Sequence, residues 1–124
     1  NFEAAASHVR DAQNAFMYGR YSDVVARCRD ALDSVISNAD CPWGEAARRE
    51  SREKMSIEDS FRLSWCAIRQ ITHATHHRNS LKAEFTRSMA HYVLGATCLA
   101  LSLASKEREL FTKPSASGAD ATVP

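Results

Sequence analysis

Apolar residues recur along this chain at helical spacing in four stretches. From Phe2 to about Tyr18, Ala5, His8, Val9, Ala12, Ala15 and Phe16 fall three and four positions apart, one face of an amphipathic helix. Gly19 interrupts that pattern and suits a helix end, where positive φ carries no Cβ clash. A second helix is expected to open at Ser22 as N-cap. Its buried stripe is Val24, Val25, Cys28, Leu32, Val35 and Ile36, with Asp23–Arg27 as an i,i+4 ion pair. The Asn, Asp, Pro and Gly between Asn38 and Gly44 end it, and Gly44 to Met55 is helix-permissive but almost without apolar residues. Ser56 and Asp59 form an acidic variant of the capping box and start a third helix running to about His77. Its apolar face is Ile57, Phe61, Leu63 or Ser64, Trp65, Ile68 and Ile71 or Thr72. The fourth begins between Ser80 and Thr86 and reaches about Leu110. Its broad stripe (Phe85, Met89, Tyr92, Val93, Ala96, Leu99, Ala100, Leu103) predicts the most buried helix of the set.

Strand alternation is absent, so the pattern predicts an all-α antiparallel bundle of four to five helices over residues 1–111, with a Ser/Ala/Gly/Pro-rich, flexible tail over 112–124. A length of 124 residues allows one domain. With 16 Lys+Arg against 15 Asp+Glu the chain is not a generally polybasic or polyacidic binder. The longest apolar run, Tyr92 to Ala104, is shorter than the roughly 20 residues a membrane span needs, so no membrane partner is expected. Four cysteines without a C-x-x-C pair read as reduced thiols, three of them among core residues, which points to a cytoplasmic protein. A first residue other than Met, with no signal segment, suggests a domain taken from a larger parent chain.

Chemistry concentrates between Ser60 and Ala100. This stretch holds Arg62, Arg69, Arg78, Lys82 and Arg87 against Glu84 alone, and four of the five histidines. His73 and His77 stand i,i+4 on one helix face, a spacing that can hold a metal. No Asp or Glu lies between Asp59 and Glu84 to complete the site, so neither a metal nor any other cofactor is expected. Gly19-Arg20-Tyr21-Ser22-Asp23 with Cys28 and Ala31-Leu32 resembles half of a tetratricopeptide repeat, but no second copy follows, and a helix hairpin with a Gly turn accounts for it.

Arg69-Gln70 followed by Thr75-His76-His77, then a final helix with Phe85, Ala90 and Leu94, resembles the HEPN superfamily, in particular its abortive-infection C-terminal type. That resemblance covers about Ala4 to Leu110 and rests on Arg, a polar residue, a short spacer and His near a helix end. It implies a helical bundle of a bacterial defence or toxin system, paired as a homodimer, that binds RNA and cuts it without a metal. Arg69 would clamp phosphate and His76 would act as acid or base on the ribose 2′-hydroxyl and the leaving oxygen. Arg62, His73, His77 and Arg78 would bind substrate. Active members most often carry Asn, Asp or His where this chain has Gln70. The competing expectation is a non-catalytic helical module for oligomerisation or partner docking, in which Arg69 and His76 are structural.

Overall fold

A computed structural model describes residues 1–36, 54–73 and 84–112. The chain is all-α: helices take up 86% of the described residues, and no strand occurs among them. The helices are α1 (Phe2–Met17), α2 (Tyr21–Val35), α3 (Ile57–His73), α4 (Arg87–Lys106) and the short α5 (Arg108–Thr112). Thr112, expected in the tail, closes α5, while the rest of the tail and the Gly44 to Glu53 stretch lie outside the described residues.

The ends of these helices follow from local chemistry. The Asn1 side chain accepts from the Ala4 N–H at the start of α1. Gly19, at φ +72°, reverses the chain into α2. Ser22 does not cap α2, which begins one residue earlier behind Arg20, without a side-chain cap. The expected Asp23–Arg27 pair is replaced by Arg27–Asp30 at 3.1 Å and a looser Arg20–Asp23 contact at 4.0 Å. Ser56 does cap α3, its Oγ accepting from the Asp59 N–H at 3.1 Å. Thr86 caps α4 in the same way through Met89 N–H, also at 3.1 Å.

Small residues let the helices approach closely. Ala12 and Ala15 of α1 meet Val24, Val25 and Cys28 of α2 and Ala90 and Val93 of α4 in one core cluster. A second cluster joins Ala5, Ala31 and Leu32 to Trp65 and Cys66 of α3, Leu101 and Ala104 of α4 and Phe111 of α5. The Trp65 and Phe111 rings lie 5.1 Å apart, tilted, within the favourable range for aromatic pairs.

Two expectations about buried faces are corrected. On α4 the interior arc is Ala90, Val93, Thr97, Leu101 and Ala104. The large residues of the predicted stripe face outward, with Met89, Tyr92 and Leu99 at 52%, 65% and 74% exposure. α4 is also long and apolar enough to cross a membrane by length and composition, which the sequence run alone understated. Its inner arc is nonetheless packed against α1 and α2. On α3 the interior arc is Asp59, Arg62, Trp65, Cys66, Arg69 and Thr72, whereas Ile57, Phe61 and Ile71 are exposed. α3 is therefore turned so that polar residues face the bundle, and the reason lies in the ion pairs they make there.

Candidate functional site

The residues expected to carry chemistry are held inside the bundle where they are described. Arg69 is 7% exposed, and its Nε donates to Asp33 Oδ1 at 2.8 Å, joining α3 to α2. The other oxygen of Asp33 accepts from Arg29 Nε at 2.9 Å, so one carboxylate bridges two guanidinium groups on different helices. Arg29 Nη1 in turn lies 3.1 Å from His73 Nδ1. Arginine has no acceptor, so it is the donor here, and the imidazole is held with its proton on Nε2. This arrangement is a strut between α2 and α3. It does not offer Arg69 to an open groove, where a phosphate clamp is expected to sit.

Arg62, expected to meet an RNA backbone, is 3% exposed. Its Nη1 donates to Asp59 at 2.9 Å and its Nε to the Leu110 carbonyl at 2.6 Å. It thereby pins α5 to α3 and satisfies a backbone acceptor of that short helix. His76, His77 and Arg78 lie outside the described residues. Among the described residues no three of His, Cys, Asp and Glu gather as a metal site requires.

The thiols behave as core groups. Cys28, Cys66 and Cys98 are free, the first two buried. Burial pushes the Cys28 thiol up from 9.0 to about 11 and raises the Cys98 thiol as well. Neither is a poised nucleophile.

The feature that sequence reasoning missed is the surface where the large apolar residues of α3 and α4 come together. Phe61, Ser64, Ala67, Ile68 and Ile71 of α3 face Tyr92, Ala96, Leu99, Ala100 and Leu103 of α4, with Trp65 and Phe111 at the floor, around a groove of about 340 Å³. Among the described residues that line it, none is ionisable except the Tyr92 phenol, in a chain whose residues are 25% charged. The signal that could have found it is the breadth of the α4 stripe. An arc that wide exceeds what one packed neighbour covers, so part of it had to face out. Comparison with protein-family models, with curated proteins and with solved structures finds no match for this chain.

Proposed function

We propose that this chain is a non-catalytic helical docking module, working through the apolar face shared by α3 and α4. The observation that carries this reading is the joint exposure of Phe61, Ile71, Tyr92 and Leu99 around one uncharged groove, while the candidate catalytic arginine is tied to Asp33. Contiguous exposed apolar surface on this scale marks a site of association rather than a solvated face. A ribonuclease built on Arg69 would have to draw a buried guanidinium away from the Asp33 carboxylate to meet phosphate in each cycle.

The test is site-specific photo-crosslinking in cells with benzoylphenylalanine in place of Leu99, and separately in place of Asn14, which is exposed on α1. The reading expects a protein adduct at 99, whether with another copy or with a different protein, and none at 14. Absence of any protein adduct at 99, together with cleavage of single-stranded RNA in EDTA that Arg69→Ala abolishes, overturns it.

A further inference from the structure

We propose that His73 makes the strut between α2 and α3 responsive to pH. Neutral, its imidazole accepts from Arg29 and extends the network; protonated, it releases Arg29 and loosens this end of α3. Such a switch goes beyond the docking reading and works whatever occupies the groove.

Geometry sets the protonation state. Arg29 Nη1 lies 3.1 Å from His73 Nδ1. A guanidinium only donates, so Nδ1 must offer a lone pair. A proton on Nδ1 would set two donors against each other at that distance. Asp33 is committed on both sides, its Oδ1 accepting from Arg69 and its Oδ2 from Arg29.

Charge points the same way. With His73 neutral, two guanidinium groups share the Asp33 carboxylate. Protonation sets three cations against that one carboxylate, and both arginine side chains are already out of water.

Among the described residues, the other charges of the helices around this point have places of their own. α3 packs on α2, α4 and α5. On α2, Arg27 and Asp30 pair at 3.1 Å, and Arg20 and Asp23 face each other at its start. α4 has no Asp, Glu, Lys or Arg over 88–105, and its Arg87 and His91 lie against Phe16 of α1. The charges of α5 sit at the other end of α3, where Arg62 holds the Leu110 carbonyl beside Asp59.

A histidine in the unfolded chain takes up its proton near the ordinary value of about 6.5. The folded chain, holding His73 neutral beside Arg29, takes it up only at lower pH. The stabilisation is therefore whole above about pH 6.5 and is lost as pH falls below it. Ile71, two residues before His73, lines the α3–α4 groove, so loosening here reaches one wall of that groove.

The experiment is urea unfolding of the full chain at about pH 7.5 and 5.5, followed by circular dichroism. His73→Asn is the paired variant, since its amide keeps an acceptor and never carries charge. Over that interval the unaltered chain is expected to lose up to about tenfold more of its folded-to-unfolded ratio than His73→Asn does. The other histidines are common to both chains and cancel. In an Arg29→Met background, His73→Asn is expected to make no such difference. Nitrogen NMR shifts of the His73 imidazole, identified by their loss in His73→Asn, are expected to place its proton on Nε2 alone at the higher pH; this readout stands even where Arg29→Met does not fold. Equal acid losses in the unaltered and His73→Asn chains, a His73→Asn effect that persists without Arg29, or a proton on Nδ1 at the higher pH overturns the proposal.

Discussion

Asp33 joins two guanidinium groups at once, its Oδ1 to Arg69 Nε at 2.8 Å and its Oδ2 to Arg29 Nε at 2.9 Å. Both arginine side chains are at most 9% exposed, whereas the carboxylate is 37% exposed. Removing one partner of a buried pair costs far more than the pair itself is worth. Asp33→Asn therefore leaves two cations facing a neutral amide. It is expected to cost about 2–4 kcal/mol of stability, at the low end of the range for buried pairs because water reaches the carboxylate. Urea unfolding followed by circular dichroism measures it.

Arg62 and Asp59 make the second test of buried charge. Asp59 is fully buried and Arg62 spans from it to the Leu110 carbonyl. Arg62→Met strips the carboxylate of its guanidinium and frees α5. A loss of about 3–5 kcal/mol is expected, with faster amide exchange over Arg108–Thr112. Asp59→Leu combined with Arg62→Met is expected to recover part of that loss, because no unpaired charge is then left buried at that site.

Cys28 predicts both a reactivity and a pH dependence. Its thiol is fully buried and pushed up to about 11. In the native chain at pH 7.5 it is expected to resist maleimide, and to label fully in denaturant, as mass spectrometry of peptides would show. The folded value lies above the ordinary 9.0, so the unfolded state loses its proton first as pH rises. Its contribution is fully present below pH 9 and is lost between about pH 9 and 11, up to about 2–3 kcal/mol. Cys28→Ser is expected to flatten that alkaline decline.

Gly19 adopts φ +72° between α1 and α2. An added Cβ meets nothing nearer than the Tyr21 hydroxyl at 3.9 Å, so Gly19→Ala is strained by backbone conformation and not by crowding. About 1 kcal/mol is expected, read as a lower midpoint of thermal unfolding.

These residues also show what the sequence could convey. The Gly19 break, the α1 face and the Ser56 cap are local features, set by residues within a turn of one another, and were legible, whereas the Thr86 cap was narrowed only to a start between Ser80 and Thr86. The inward turn of α3 was not. Asp59–Arg62 is local, but Arg69 finds its carboxylate 36 positions away on α2, and no periodicity records such a pairing. α4 misled for a different reason. Its inner arc is built largely from small residues, Ala90, Thr97 and Ala104 at seven-residue spacing, which let helices approach. A reading that ranks positions by hydrophobic bulk places Tyr92 and Leu99 inside. Of the candidate site, Arg62, Arg69 and His73 are located, and all three make contacts that hold helices or side chains in place, whereas His76, His77 and Arg78 lie outside the described residues.

Arg69 holds α3 to α2 through Asp33, while the apolar face of α3 and α4 stays open to a partner. The most direct measurement is the unfolding free energy of Arg69→Met beside that of Leu99→Glu. Arg69→Met is expected to lose about 2–4 kcal/mol, and Leu99→Glu, at an exposed position, to change the stability of the isolated fold by no more than about 0.5 kcal/mol. An Arg69→Met chain as stable as the original contradicts it, because a guanidinium that can be removed without cost is not holding α3 to α2.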